Sequence, residues 1–342
     1  MTQDEQAVPA HWGFAEQWNK ALSGKEEREI TPRDYLWASE LGKSPIDVYL
    51  RLKGTVPSNP PNDRAKRKFE AGNVSEWIVG LILKRAGILK DQQEYCTHQY
   101  EGLLKVTGKA DYLAGGKPDL EKFRDEIDTL EMPEVFKRAG EAVVAHLQEH
   151  FPNGLVEMPL EIKSCSSFVA DMMEKTNKPL RNHRKQLFHY LKSTKREVGR
   201  LIYICRDDLR IFEFVVMNPS FVEDEYRGDI EVITKYFNNN EEPPKEKLVL
   251  FDEEEGKFSK NFNVEYSNYL TLLYEFVEPR DYSETYGKMA SSFNRVMKRM
   301  KDGEKITDKN KIIQDQMIQH GFNPFELVSK FRSSAEDEQS EA

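Results

Sequence analysis

Apolar residues in the first quarter of the chain recur at the spacing expected for helices. Helices are predicted to begin at Thr31, to run from Ser44 to Gly54, and to cover residues 64–87, which end in glycine. The Pro-containing stretch 55–63 is predicted to be a loop. The apolar face of the long helix consists of Phe69, Val74, Trp77, Ile78, Leu81 and Ile82.

Shorter apolar stretches, several of them alternating with polar residues, predict a sheet. The acidic stretch 117–150 and the basic stretch 180–196 are predicted to be helices, and 218–332 to be mostly helical. This order predicts an α/β fold, a mixed central sheet flanked by helices, with a helical insertion at 115–154 and a mostly helical C-terminal extension. The predicted strands are 94–106, 107–114, 155–163, 199–205 and 210–217.

Length and composition limit the number of domains. The 342 residues are 38% hydrophobic and 32% charged, enough apolar material for one large domain or two smaller ones. The predicted division is a flexible segment 1–30, a core 31–217, an extension 218–332 and a disordered acidic tail 333–342.

Several classes of protein are disfavoured by the sequence. No apolar stretch is long enough to span a membrane, and the N-terminus lacks the features of a secretory signal. The three cysteines, Cys96, Cys165 and Cys205, lie far apart, which favours the reducing cytoplasm of a bacterial or phage-infected cell. No zinc site is expected, and without a P-loop motif no bound nucleotide is expected.

Charge is distributed unevenly along the chain. The net charge is -9, yet segment 163–200 holds ten Lys or Arg against three acids. A concentrated basic stretch in an acidic protein predicts a specific polyanion site. The residues predicted to contact DNA are Lys175, Lys178, Arg181, Arg184, Lys185 and Lys192.

The tripeptide Glu161-Ile162-Lys163 lies on a predicted strand. Because residues i and i+2 of a strand point to the same face, Glu161 and Lys163 enter one cleft while Ile162 packs on the other side. A carboxylate that holds a divalent cation and a lysine that orients water are parts needed to cut a phosphodiester bond. The same spacing recurs at 255–257, in an acidic loop where no common face is expected.

Asp111 is an acid in an otherwise apolar predicted strand, three residues after Gly108. A buried carboxylate is costly unless it is paired or metal-bound, and a glycine permits the close approach of another group. Two interpretations are open: a metal ligand beside Glu161, or an aspartate that caps a turn.

Two helices offer further polar candidates. Gln186 and Tyr190 share one face of the basic helix, because four residues separate them, and they belong either to a site or to a solvated surface. Glu76 lies among apolar neighbours on the long helix, as an inward-pointing ligand or as an ordinary surface acid.

In chain order these motifs are 72–76 (GNVSE), 108–111 (GKAD), 161–163 (EIK) and 186–190 (QLFHY). The set resembles the PD-(D/E)XK nuclease superfamily, specifically its RecB-like and lambda-exonuclease-like branches, over roughly residues 31–217. The resemblance implies a restriction-endonuclease-like core and a metal-dependent deoxyribonuclease.

The resemblance also implies a role for each motif residue. Lys163 would orient or activate water, and Gln186 and Tyr190 would position the scissile phosphate or the catalytic lysine. Mg²⁺ or Mn²⁺ would be bound by Glu76, Asp111, Glu161 and the Ile162 carbonyl.

The chain departs from the family pattern in two respects. The literal Pro118-Asp119 lies in a loop after the strand, so Asp111 is preferred as the catalytic aspartate. The three cysteines lack the spacing of the iron–sulphur cluster found in many RecB-like members, so no cluster is expected.

The leading hypothesis is an exonuclease of recombination, repair or phage DNA metabolism. The alternatives are a sequence- or structure-specific endonuclease and a non-catalytic DNA-binding subunit with the same fold. The partners expected are DNA, a helicase or annealing protein, and a second copy of the chain, without a membrane. Tyr35, Trp37 and Tyr49 serve either core packing or stacking on a DNA end.

Overall fold

The computed structural model describes residues 14–23, 30–217, 220–253, 255–276 and 278–330. The strands within them are β1 (Tyr35–Trp37), β2 (Leu89–His98), β3 (Lys105–Gly116), β4 (Leu155–Cys165), β5 (Val198–Cys205), β6 (Ile211–Met217), β7 (Val249–Asp252) and β8 (Lys257–Lys260). The helices are α1 (Phe14–Ser23), α2 (Pro45–Leu52), α3 (Asp63–Arg85), α4 (Leu120–Ile127), α5 (Glu134–His150), α6 (Ser167–Thr176), α7 (Arg181–Thr194), α8 (Ser220–Asn239), α9 (Phe262–Glu265), α10 (Leu270–Tyr274), α11 (Pro279–Lys301) and α12 (Asp308–Gln319), with a 3-10 turn at Ala38–Glu40.

The chain divides into two units. The first contains Met1–Lys43, Arg51–Thr55 and Pro61–Glu241, and the second contains Ser44–Leu50, Val56–Pro60 and Glu242–Ala342. The domain boundaries drawn from the sequence stay a prediction. Of the predicted flexible segment 1–30, residues 14–23 form α1 and residues 1–13 and 24–29 lie outside the described residues, as does the predicted acidic tail 333–342.

The first unit is built around a six-stranded sheet in the order β1-β3-β4-β5-β6, with β2 paired to β3. The pairs β1–β3 and β4–β5 are parallel, while β2–β3, β3–β4 and β5–β6 are antiparallel. The predicted mixed α/β fold is therefore confirmed, and α4 and α5 form the helical insertion between β3 and β4. No helix among the described residues has the length and apolar character needed to cross a membrane.

One edge of β3 is shared by two strands. β2 covers the opposite edge from Val106 to Ala114, so β1 and β4 both lie on the remaining edge. There β1 pairs with β3 at 105–107, and the β4 register begins at Tyr112 and continues to Gly116. Residues 108–111 of β3 therefore face an opening between β1 and β4.

Helices cover both faces of the sheet. On one face, α3, α4 and α5 pack around a core that includes Tyr112, Phe123 and Ile162. On the other face lies α7, which also packs against α8. Because α7 has the sheet on one side and α8 on the other, its residues 185–191 are all buried.

The second unit has a core of its own. β7 and β8 form an antiparallel hairpin whose turn is the acidic loop recognised in the sequence. Phe258 of the hairpin packs with Phe293 of α11 and Met317 of α12. The extension is mostly helical, as predicted, but the hairpin was not predicted.

Two predictions about the N-terminal elements were wrong. The segment Tyr35–Trp37 is not helical but forms β1, because its aromatic side chains suit a strand and β3 offers it an edge to pair with. On α3, Phe69 and Trp77 of the predicted apolar face are each 59% exposed, whereas Ile82 of the same face packs against the core. The helix instead approaches the sheet through Gly72, next to Ser164, and Gly80, next to Tyr112.

We expect Gly80→Ala to destabilise the protein. A Cβ at this position would lie 2.3 Å from the hydroxyl oxygen of Tyr112, which donates a hydrogen bond of 2.9 Å to the Glu76 carbonyl oxygen. Overpacking of this kind costs about 1–3 kcal/mol of the free energy of unfolding, measurable by urea denaturation.

Gly228→Ala is the matched control, since Gly228 lies in α8 and a Cβ there meets nothing within 4 Å. Replacing an unobstructed helical glycine should stabilise the protein by about 0.5–1 kcal/mol. Equal effects of the two substitutions would contradict the packing of α3 on β3.

Candidate active site

Asp111 lies where β3 and β4 separate. The ladder between these strands ends at the pair Tyr112–Leu160, and the Asp111 carboxylate then accepts a hydrogen bond of 2.7 Å from the backbone N–H of Ile162. In an extended strand the N–H and C=O of one residue point to the same edge. The Ile162 carbonyl therefore also faces the opening, as required for the predicted backbone ligand.

Glu161 and Lys163 lie on the face of the sheet that packs against α7. The Lys163 ammonium donates to Glu161 Oε1, and the Gln186 side-chain amide donates to the same oxygen at 2.8 Å. The Gln186 amide also donates to the Tyr190 hydroxyl at 2.8 Å. Gln186 and Tyr190 are both buried, so the structure places them beside Glu161 rather than on a solvated surface.

The second oxygen of Glu161 is the most unusual feature of this site. Glu161 is 1% exposed, and its Oε2 atom has no hydrogen-bond partner among the described residues. A buried carboxylate oxygen without a hydrogen bond is costly, because nothing replaces the hydration that this oxygen loses on burial. A cation or an ordered water would satisfy this oxygen, so the donor set fits a bound metal ion.

Gly108 allows three elements to meet beside the opening. A Cβ on Gly108 would lie 2.9 Å from the Ala38 Cβ atom and 2.9 Å from Cε1 of the Tyr190 ring. Any larger side chain would push β3 away from the 3-10 turn and from α7. The glycine of the Gly-x-x-Asp motif thus brings Tyr190 close to the strand that carries Asp111.

Glu76 reaches the same region from α3, on the opposite face of the sheet. It is half-buried, and its carboxylate accepts a hydrogen bond of 3.2 Å from Gln93. Burial raises the pKa of Glu76, partly offset by the positive charge of Lys163. Among the described residues, no group of three or more His, Cys, Asp or Glu side chains could hold a metal ion by itself. The role of Glu76 as a ligand stays a prediction.

The charges at the opening perturb one another. Burial, followed by the repulsion of Glu161, raises the pKa of Asp111 well above its usual value. Burial also raises the pKa of Glu161, although Lys163 opposes this effect. Burial would lower the pKa of Lys163, but the carboxylates of Glu161 and Asp111 outweigh it and raise that pKa. Lys163 is therefore a cation at neutral pH, and the two carboxylates lie closer together than their charges favour.

Most of the cations predicted to contact DNA are paired with α8. Lys185 is buried and bonded to Asp229, and Lys192 donates to Glu223 at 2.5 Å. Arg181 and Arg184 lie 2.8 and 3.3 Å from the carboxylate of Glu225. Of the six predicted contacts, Lys175 and Lys178 remain exposed without a described ion pair.

The acids of α8 were missed in the sequence. Their spacing, at 223, 225 and 229, indicates an acidic helix but gives no sign of its partner. The acids of α8 pair with the cations of α7 because the two helices pack together in the folded chain.

The other chemically suggestive residues have structural roles. Asp119 of the literal Pro-Asp pair caps α4, accepting a hydrogen bond of 3.0 Å from the Lys122 N–H. Cys165 is buried, and burial raises the pKa of its thiol to about 11, which suits a packed thiol. His146 and His150 lie one turn apart on α5 with ring centroids separated by 4.3 Å, a pair that the expectation of no zinc overlooked.

Comparison with known proteins gives distant structural matches only. No protein-family model matches the chain, and no curated protein matches it significantly. The crystal structure of SSO0001 matches with 16% identity and a TM-score of 0.38, over 68% of this chain and 88% of that chain.

The alkaline exonuclease LHK-Exo from Laribacter hongkongensis matches with 13% identity and a TM-score of 0.37, over 66% of this chain and 93% of that chain. Its complex with dAMP matches with 15% identity and the same TM-score and coverage. A likeness at this level assigns neither a family nor an activity to the chain. Membership of the PD-(D/E)XK superfamily stays a prediction.

Asp111→Asn tests the electrostatics of the site without metal. The amide oxygen can still accept the Ile162 N–H, but the charge is removed. Because the pKa of Asp111 is raised on folding, the parent loses stability as the pH rises from about 4, the value of an unfolded Asp, through the raised pKa. The variant does not lose this stability.

In the presence of a chelator, the free energy of unfolding of Asp111→Asn should exceed that of the parent at about pH 7. The two values should converge as the pH falls below about 4, because Asp111 of the parent is then protonated in both the folded and the unfolded state. Urea titrations across this range measure the difference. A parent that gains stability relative to the variant as the pH rises would show that Asp111 is not destabilised by burial.

Proposed function

We propose that the chain is a divalent-metal-dependent deoxyribonuclease that hydrolyses DNA phosphodiester bonds, acting as an exonuclease. The observation that carries this proposal is the state of Glu161. One of its oxygens accepts hydrogen bonds from Lys163 and Gln186, and the other is buried without a hydrogen-bond partner among the described residues. The charge of Glu161 also raises the pKa of Asp111. A divalent cation would offset the repulsion between the carboxylates of Asp111 and Glu161, so its binding would stabilise their arrangement beside Lys163.

The chain offers oxygen ligands of the kind that Mg²⁺ or Mn²⁺ prefers. Asp111, Glu161 and the Ile162 carbonyl would hold the ion, with Glu76 acting directly or through water. Two carboxylates suffice, because Mg²⁺ keeps several of its water ligands. When bound, the ion would supply an activated water and would offset the charge that develops on the phosphate.

Each side chain around the ion has a distinct task in this proposal. Lys163 is positively charged, so it orients the attacking water or a phosphate oxygen and favours hydroxide, but it does not take up a proton. Gln186 fixes the orientation of Glu161, and Tyr190 fixes that of Gln186. Attack of water on phosphorus in line with the leaving oxygen leaves a free hydroxyl on the other side of the break.

Glu161→Gln and Lys163→Ala should each lower the rate of cleavage of linear DNA with Mg²⁺ by roughly 100-fold or more, as loss of a preorganised charge does in other enzymes. Release of labelled nucleotides measures the rate, and a chelator should abolish it in the parent.

Glu255→Gln with Lys257→Ala is the matched control for both variants. This pair has the same spacing, but it is exposed at the hairpin turn with its charges 3.6 Å apart. The control should cleave like the parent. Parental rates in the Glu161 or Lys163 variants would refute the site assignment.

Linear and covalently closed circular DNA distinguish an exonuclease from an endonuclease. We expect the parent to degrade linear DNA with Mg²⁺ and to leave closed circles intact, because an exonuclease needs an end. Linearisation of the circles, followed on a gel, would instead establish a sequence- or structure-specific endonuclease.

A further inference from the structure

Helix α11 of the second unit has two contrasting faces. One face is buried in that unit's core through Phe293, Val296 and Met297. The opposite face is solvent-exposed at Lys288 and Arg295, which are seven residues, or two helical turns, apart.

The exposed face is basic although the protein is acidic. α11 carries six Lys or Arg and two acids, a net charge of +4, in a chain whose net charge is -9. Lys288, Arg295 and Lys298 are all exposed, and none of them forms an ion pair with another described residue. Arg280 and Glu284, at the start of the helix, are paired with each other.

Small polar residues separate these cations. Gly287, Ser291 and Ser292 line a shallow, open groove of about 420 Å³ along the helix. The other described residues that line it are Ser283, Glu284, Lys288 and Arg295. The basic face, defined by Lys288, Ser291, Arg295 and Lys298, contains no large apolar side chain, so it lacks the anchors of a protein–protein interface. Lysine, arginine and serine are side chains that contact phosphate oxygens.

The basic face of α11 differs in this respect from α7. On α7 the cations suggested by the sequence are neutralised by Glu223, Glu225 and Asp229 of α8. On α11, Arg295 and Lys298 have no ion pair with another described residue, and Lys288 has only the longer-range attraction of Glu284. A polyanion therefore meets cations without an ion pair on the basic face of α11, whereas on α7 it would have to displace the acids of α8.

We propose that the basic face of α11 binds the phosphate backbone of DNA, independently of base sequence. This inference rests on the proposed function for its ligand, but it assigns a second contact surface to a helix that carries none of the proposed catalytic residues. Binding through three cations would release counterions, so it would be sensitive to salt.

The test is a triple variant, Lys288→Ala with Arg295→Ala and Lys298→Ala, in the full chain. Fluorescence anisotropy of a labelled DNA duplex with Mg²⁺, in the Glu161→Gln background, measures affinity against salt concentration. At about 0.1 M salt, we expect the triple variant to bind DNA roughly tenfold or more weakly than its parent. The magnitude of the slope of log K against log salt should decrease by about 2–3.

The matched control removes the same charge from the first unit, as Lys117→Ala with Lys122→Ala and Arg138→Ala. It should bind with the affinity and slope of its parent. The exchange Lys288→Arg with Arg295→Lys and Lys298→Arg keeps the charge and should also preserve the slope. If the triple variant fails to fold by circular dichroism, the three single variants should each lower the slope by about 1.

A triple variant that binds like the control, with an unchanged slope, overturns the inference. This result is distinct from failure of the proposed function, which is read as absence of Mg²⁺-dependent cleavage by the chain with intact Glu161. With that chain, the control variant at positions 117, 122 and 138 should cleave a short duplex at the parental rate, because its substitutions leave the catalytic residues and the basic face of α11 in place.

Discussion

The hydrogen bond between the Asp111 carboxylate and the Ile162 N–H determines the geometry of the candidate site. It occurs where the pairing of β4 with β3 ends, between that pairing and the segment of the same edge of β3 that pairs with β1. A side chain here replaces a backbone carbonyl as the acceptor, so the sheet opens without leaving this N–H unsatisfied. The opening is what allows a carboxylate, a backbone carbonyl and an ammonium to face one another inside a folded core.

The position of α7 follows from the same opening. The helix lies across the sheet with Gln186 and Tyr190 against Glu161, and Gly108 makes room for the Tyr190 ring. Burial of the helix removes Lys185 from water, whereas Arg181 at its start stays exposed. The acids of α8 neutralise most of the basic residues of α7, in pairs that include the buried Lys185 with Asp229. The basic helix that looked suited to DNA in the sequence thus has its charge satisfied within the first unit.

Local sequence patterns predicted the extent of the helices and strands better than they predicted which of their residues pack against the rest of the fold. The alternation in 155–163 correctly placed Glu161 and Lys163 on one face, because the two-residue period of a strand is a property of the backbone alone. The spacing of four likewise placed Gln186 and Tyr190 together. Helical spacing in α3 gave its extent correctly, but it did not reveal that Gly72 and Gly80, rather than Phe69 and Trp77, face the sheet.

The sequence by itself predicted the mixed α/β fold, most element boundaries and the grouping of Glu161 with Lys163 and of Gln186 with Tyr190. It did so because backbone periodicity and the chemistry of carboxylates and ammonium groups are local properties. Only the tertiary structure decided that β1 is a strand, that α7 is enclosed, and which cations are neutralised. Those outcomes depend on partners 70 residues apart in the strand pair Tyr35–Lys105 and 44 residues apart in the ion pair Lys185–Asp229, and no local pattern encodes such pairings.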